Sequence, residues 1–373
     1  MQRLSDRLLI TAFVLFLAAM LLLNIATVDR AFSERENRYL TRRPELSLSS
    51  VFSGRFSRRF EEYITDQFVF RDQWVFLKAD VERLLLRTEN NGIFLGRDGW
   101  LLENFQRPGP ALARNIQGIN RFADAFPDIR IHVLLAPTSA AVYPEKLPPL
   151  AAVWDQRQVL AEVAQSLRPG IAFVPVLDAL RARRDEYLYF RTDHHWTMTG
   201  AYYAYRELAD ALGFSPLAPE EFHRETVARD FQGTYSAKAN RRRIRGDALE
   251  AWRPRTPRPL TITFNDRPGS FDSLFFPRHL EGRNKYDYFL DGNHPLAVIK
   301  TSRPGGKLAV CKDSFAHALL PFLAQHYAEI HVIDLRFFTA SLEQYIRQQE
   351  IDQVLFLYGL SAFASDAGLT SFR

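Results

Sequence analysis

The stretch Leu308-Ala309-Val310-Cys311-Lys312-Asp313-Ser314-Phe315 decides how this chain folds. Leu308-Ala309-Val310 is a short apolar run of the kind a fully buried strand of a parallel sheet requires. Phe315 to Gln325 has the pattern of a helix. Strand, sharp turn, hydroxyl and helix leave Ser314 at the C-terminal edge of a sheet. Backbone N–H groups of the helix start would then face any oxyanion formed there. Ser314 alone is a weak signal, because a serine opening a helix is most often only its cap.

A second segment, Asp193-His194-His195-Trp196, lies 119 positions upstream, counted from His195 to Ser314. A serine hydroxyl is a poor nucleophile until an imidazole accepts its proton, and that imidazole needs a carboxylate to fix its tautomer. Asp193 and His195, at i and i+2 of an extended or turn segment, point the same way and fit those roles. His194 points elsewhere and is read as structural. The competing reading is an ordinary cluster at the entry of a helix.

The chain has 373 residues, 47% of them hydrophobic and 13% aromatic, which is ample for a large core. Leu8 to Ala26 is a run of 19 uncharged, mostly apolar residues, close to the roughly 20 that cross a bilayer. Arg3 and Arg7 precede it, Arg30 and Arg35 follow, and no small-residue cleavage site closes it. It is expected to be a retained signal anchor, making the chain a single-pass membrane protein with its body periplasmic or extracellular. Lone Cys311 excludes an intramolecular disulfide. Despite a net charge of +5, the basic residues follow no recognition-helix or RNA-binding pattern, so no nucleic-acid partner is expected. The Arg- and Pro-rich stretch from Arg241 to Arg258 reads either as a solvated loop or as a landing strip for an anionic polymer or lipid surface.

Three parts are expected: an anchor at 1–30, a linker with amphipathic helix packed on the body at 31–90, and an α/β domain at 91–373. Ile93-Phe94-Leu95 and Trp100-Leu101-Leu102 flank an Asp-Gly turn and predict a hairpin. Helix is predicted over Ala111–Ala125, Gln156–Leu167, Gly200–Leu212 (capped by Thr199) and Leu342–Gln349. Strands are predicted at Ile129–Leu135, Ile171–Leu177, Leu308–Val310, Ile330–Ile333 and Val354–Leu357. Alternation of helix and strand implies a parallel sheet covered on both faces. Residues 215–294 read as a long irregular insertion lining one edge of the cleft.

Thr192-Asp193-His194-His195-Trp196-Thr197, together with Lys312-Asp313-Ser314-Phe315-Ala316, resembles the DHHW family and, more widely, the AlgJ/AlgX-like polysaccharide O-acetyltransferases with SGNH-hydrolase-like domains. Lesser matches are Asp98-Gly99-Trp100-Leu101, Pro137-Thr138 and Phe289-Leu290-Asp291-Gly292-Asn293-His294-Pro295. The resemblance implies an SGNH-like domain with the dyad ahead of the serine, as if circularly permuted, and it carries the triad roles onto Asp193, His195 and Ser314. Lys312 stands where a glycine is usual and would bring a cation near the site. Further oxyanion or substrate-binding candidates are the Ser314 backbone N–H, Asn293, Tyr358 and Trp196.

The function this implies is an O-acetyltransferase that takes acetyl onto Ser314 and passes it to an exported or cell-surface polysaccharide. A membrane-bound O-acyltransferase would be the acetyl donor. An acetyl esterase uses the same chemistry with water as acceptor. A metal-dependent hydrolase using Asp193, His194, His195 and His294 or His317 lacks recognisable ligand spacing, so neither a metal nor another cofactor is expected. A non-catalytic polysaccharide-binding or scaffold protein is the remaining class.

Overall fold

The apolar run at Leu308 becomes the middle of an eight-stranded sheet. The structure, a computed structural model, describes residues 2–33, 38–241, 244–366 and 368–369. Two compact units are present: one runs to Arg87 and includes Asn240 and Arg241, and the other begins at Thr88 and holds the remaining described residues.

The second unit carries the main sheet, whose strands are β1 (Arg130–Ala136), β2 (Ile171–Phe173), β3 (Leu260–Phe264), β4 (Arg267–Phe271), β5 (Leu296–Thr301), β6 (Lys307–Lys312), β7 (Glu329–Ile333) and β8 (Gln353–Gly359). Their order is β4-β3-β5-β7-β6-β8-β1-β2. The five strands β7-β6-β8-β1-β2 are parallel, as the alternating pattern predicts. β5, β3 and β4 extend the sheet with antiparallel pairings. The sheet is therefore mixed, and its antiparallel edge is the part the alternation of helix and strand does not announce. β6 and β8 are buried almost throughout, which is why both read as unbroken apolar runs rather than alternating ones.

Most helices form where predicted. Met198–Leu212 is capped by Thr197, not Thr199: the Thr197 hydroxyl accepts from Gly200 N–H, and Gly213 closes the helix in the left-handed region. The continuous helix expected from Phe315 to Gln325 is instead a 3-10 turn, Ser314–Ala316, and a single α turn, Leu320–Leu323. Pro321 explains the break, since proline is tolerated in a first turn but removes a hydrogen bond from a helix interior. The strand expected to reach Leu177 stops at Phe173, two residues before Pro175.

Residues 215–294 are not irregular. Phe222–Phe231 pairs antiparallel with Asp247–Pro254, and β3 and β4 follow. The first hairpin strand is largely exposed, with charged residues on both faces, so it lacks the alternation that marks a half-buried strand. Arg242 and Arg243 of the arginine run lie outside the described residues, as do Arg35 to Asn37 of the linker.

In the first unit, Gln2–Ala26 is one helix. Its apolar part, Leu4–Ala26, has 23 residues, about 34 Å at 1.5 Å per residue, enough to cross a bilayer core. The amphipathic segment forms two helices, Arg55–Gln67 and Arg71–Leu84, separated at Phe70, which adopts φ 57°.

Candidate active site

Ser314 sits just past the end of β6, beside the C-terminal ends of β8 and β1. Asp313 shapes this turn: its carboxylate accepts from Phe315 N–H at 3.0 Å and from Gly359 N–H at 2.8 Å. Gly359 is required there, because a Cβ at this position would lie 2.5 Å from the Phe315 ring. Asp313 thus uses the Phe315 N–H that the sequence offered to an oxyanion. The Ser314 N–H has no acceptor among the described residues.

The dyad segment reaches the same place from the other direction. Trp196 Nε1–H donates to Phe315 O at 2.9 Å, tying the two segments together. His195 Nε2 lies 2.7 Å from Ser314 Oγ, and its Nδ1 lies 2.5 Å from Asp193 Oδ1. Hydroxyl, imidazole and carboxylate form one hydrogen-bonded chain.

Asp193 is held by more than the imidazole. Its Oδ1 also accepts from His195 N–H, and its Oδ2 accepts from Thr234 N–H at 2.8 Å and the Thr234 hydroxyl at 3.1 Å. Gly233 lets the backbone come this close: a Cβ there would fall 2.1 Å from Asp193 Oδ2. Behind the dyad, the buried Asp247 carboxylate accepts from Thr192 N–H and Oγ1–H, Arg191 Nε–H and the Tyr187 hydroxyl. Tyr286 lies flat against His195. Sequence reasoning missed Gly233, Thr234, Asp247 and Tyr286. The pair Gly233-Thr234 was the visible signal, a loop glycine followed by a hydroxyl residue.

Burial would raise the Asp193 pKa, but His194 and His195 outweigh it and hold the carboxylate well below its usual range. Burial, reinforced by His194 and opposed by Asp193, pushes His195 down to about 4. At neutral pH the imidazole is therefore unprotonated and able to accept the Ser314 proton. For His194, burial alone would lower the pKa, yet Asp193 raises it overall. Its Nδ1 contacts the Thr234 hydroxyl at 2.7 Å, and the ring borders the cleft without bonding Ser314.

The remaining candidates stand elsewhere. Lys312 is fully buried: its Nζ contacts Asp334 Oδ2 at 3.1 Å, Asn293 Oδ1 at 3.0 Å and His317 Nε2 at 2.9 Å. Its charge is committed beneath the nucleophile turn and is not presented to a substrate. Asn293 accepts from Lys312 and, at 3.3 Å, from Arg336, so its carbonyl oxygen is used and only its amide nitrogen remains as a donor. Tyr358 is buried, its hydroxyl donates to Leu369 O, and it does not line the cleft. Trp196 is also fully buried and serves as the clamp described above.

The cleft over Ser314 has a volume of about 320 Å³ and is bordered by Glu103, Thr138, His194, Lys238 and Arg336 among others, at the low end for a ligand site. No described residue of the Arg241–Arg258 stretch borders it. Arg253 and Arg255 are engaged instead with Glu225, Tyr288 and Glu220 O. Asp193, His194 and His195 offer three ligand atoms within 4.8 Å of one another. A metal there would have to break the hydrogen-bonded chain to Ser314, and His294 and His317 are turned to Asp266 and Lys312.

Residues 93–275 match the family model described as "SGNH hydrolase-like domain, acetyltransferase AlgX". Over that span, just under half of its length, the chain is similar to the AlgX-like SGNH-hydrolase-like acetyltransferase domains. The matched span contains Asp193 and His195 and ends before Ser314. Two probable alginate O-acetylases AlgJ are similar, one from Pseudomonas syringae pv. tomato (27% identical over 194 residues, 48% of this chain and 49% of the relative). The other is from Pseudomonas aeruginosa, 26% identical over 165 residues, 40% of this chain and 41% of the relative. The chain thus matches less than half the length of either relative. A crystal structure of a DHHW family protein from Eubacterium siraeum superposes with a TM-score of 0.68 at 25% identity, over 76% of this chain and 95% of that one. Bacillus cereus PatB1 shares the fold, with a TM-score of 0.62 at 21% identity over 75% of this chain and 98% of that one.

Proposed function

We propose that this protein is an extracytoplasmic, serine-dependent O-acetyltransferase that modifies a cell-surface or exported polysaccharide. The observation that carries this reading is the Asp193–His195–Ser314 chain, with steps of 2.5 and 2.7 Å. The acetyltransferase description of the matched family model and the O-acetylase names of the similar proteins support acetyl as the group and a polysaccharide as the acceptor.

In the first half-reaction His195 Nε2 takes the Ser314 Oγ proton as Oγ attacks the acetyl carbonyl carbon. Asp193, already ionised, stabilises the imidazolium. The C–O bond to the donor breaks, and His195 returns the proton to the departing oxygen. Acetyl-Ser314 remains. In the second half-reaction His195 takes the proton of a sugar hydroxyl, whose oxygen attacks the acetyl-Ser carbonyl. Ser314 Oγ then leaves and regains the proton. The Ser314 N–H, unused by protein, donates to the oxyanion in both halves, with the Asn293 amide as a second candidate donor.

We assign the Gln2–Ala26 helix to a retained anchor that holds the catalytic unit beside a membrane-bound O-acyltransferase supplying acetyl. The test is a donor-ester assay with and without oligosaccharide. A transferase diverts acetyl from water to sugar, seen as acetylated product by mass spectrometry, with total Ser314 turnover undiminished. If no acceptor is acetylated while pre-acetylated polymer is stripped, the protein is an esterase.

A further inference from the structure

The helix Arg71–Leu84 turns an apolar stripe outward. Trp74, Leu77, Val81 and Leu84 fall at spacings of three, four and three, so they share one face. They are 40%, 47%, 45% and 82% exposed, whereas Phe76 and Ala79 are buried. Phe70, at the turn preceding this helix, is exposed as well. A large exposed apolar face marks a surface that something covers.

What lies beside this face is the end of the apolar Gln2–Ala26 helix. Val69 N–H donates to Asn24 Oδ1 at 2.9 Å, two residues before that helix ends. Arg30 N–H donates to Gln67 Oε1 at 2.9 Å, Gln67 Nε2–H donates to Arg30 O at 3.0 Å, and Tyr63 OH donates to Asp29 Oδ1 at 3.0 Å. Arg30 also pairs with Asp72 at 3.2 Å. The turn between the two amphipathic helices is fastened to the point where the apolar helix ends, and Trp74 stands one turn further on. Tryptophan at that level suits the bilayer–water interface.

The same unit contains a basic cleft of about 560 Å³ lined by Arg42, Arg43, Arg55 and Arg59, with Ser47 and Ser50 beside them. The lining includes two carboxylates, Glu45 and Glu62, against four guanidiniums. Among the described residues, Arg42, Arg43 and Arg59 have no ion-pair partner. Guanidiniums and hydroxyls are the groups that hold a phosphate.

We propose that Arg55–Gln67 and Arg71–Leu84 form a membrane-surface collar around the exit of the N-terminal helix, occupied by anionic phospholipid. The Trp74-Leu77-Val81-Leu84 stripe takes the acyl boundary and the arginine cleft takes headgroup phosphate. The inference rests on reading Gln2–Ala26 as a retained membrane helix.

The test places spin labels on cysteines introduced singly at Leu15, Leu77, Lys78 and Val81 of the full chain. Buried Cys311 does not compete for the label. The chain is reconstituted in nanodiscs of phosphatidylcholine, with or without phosphatidylglycerol, and collisions with oxygen and with a water-soluble nickel chelate are compared. The expected result is lipid-like exposure at Leu15, Leu77 and Val81 and water exposure at Lys78. Phosphatidylglycerol should deepen Leu77 and Val81, and a chain carrying Arg42→Gln, Arg43→Gln and Arg59→Gln should lose that gain. A lipid-exposed Leu15 with Leu77 and Val81 in water overturns the collar and leaves the anchor standing. An aqueous Leu15 overturns the anchor and the collar together. Shielding of Leu77 and Val81 from both quenchers means that protein covers the stripe, which overturns lipid as its occupant. A phosphatidylglycerol gain that survives the three arginine changes overturns the headgroup assignment.

Discussion

The Tyr286 ring lies flat on the His195 imidazole, with centroids 3.7 Å apart and 8° between the planes. His195 is thereby fixed on three sides: Asp193 at Nδ1, Ser314 at Nε2 and Tyr286 across the ring face. The Tyr286 hydroxyl bonds backbone, donating to Ser314 O at 3.3 Å and accepting from Ala318 N–H, and does not touch His195, so the ring rather than the hydroxyl meets the imidazole. Tyr286→Ala should lower kcat on an activated acetyl ester by about 10- to 100-fold through a looser imidazole. Tyr286→Phe should stay within about 3-fold. Equal losses in the two variants would show that the hydroxyl carries the effect.

Gly233→Ala is expected to be far more damaging than a loop substitution normally is. The added Cβ would meet Asp193 Oδ2 at 2.1 Å and Asp193 Cβ at 2.3 Å, so the carboxylate cannot keep the position from which it holds His195. A displacement of that kind costs on the order of 100-fold in kcat/KM. Circular dichroism should remain native. Activity within 3-fold of wild type would mean that Asp193 does not need its observed position.

The two histidines separate by function. His195→Ala should lose roughly 1,000-fold or more in turnover, as triad members do. His194→Ala, which touches Thr234 but not Ser314, should keep most of it. A larger loss at His194 would reverse the assignment of the base.

His195 is pushed down to about 4, first by burial. Since only the neutral imidazole accepts a proton, kcat/KM should hold level from neutral pH to about 5 and fall as pH passes below about 4. A stability signature of the same sign comes from His132, which burial, with help from Arg130, also lowers to about 4. In the unfolded chain a histidine titrates near 6.5. Between about 6.5 and 4 the unfolded state therefore takes up a proton that the folded state refuses, and stability is lost as pH falls through that window. His132→Leu removes this term, so its Tm advantage over wild type should grow from pH 6.5 to 4 and stay constant above. An advantage independent of pH would refute the shift.

Legibility in the sequence followed locality. β6, β8 and the Ser314 turn could be read directly, because a strand buried on both faces is apolar throughout and Asp313-Ser314 interrupts it abruptly. The pairing of Asp193 with His195 could be read because both lie within one short turn. What fixes that turn could not: Thr234 is 41 residues from Asp193 and Asp247 is 55 from Thr192. Asp247 opens the second strand of a hairpin whose charged, exposed first strand hides its period of two, and Thr234 opens the short helix in the connection between the strands. Lys312 and Tyr358 were misplaced for a related reason. Their neighbours in sequence border the cleft, but the backbone turns their own side chains into Asp334 and Leu369 O. Tyr286 left no local signal at all, being one tyrosine in an aromatic-rich stretch.

The central claim is that Ser314 becomes acetylated. Full-length protein should be mixed with an activated acetyl ester, quenched within the first turnovers, digested and measured by mass spectrometry. The account predicts one added acetyl group on the peptide carrying Ser314. It should be absent in Ser314→Ala, should form only slowly in His195→Ala, and should be discharged when oligosaccharide acceptor is added to wild type. Turnover of the ester with no acetyl on that peptide, or undiminished turnover by Ser314→Ala, would contradict it.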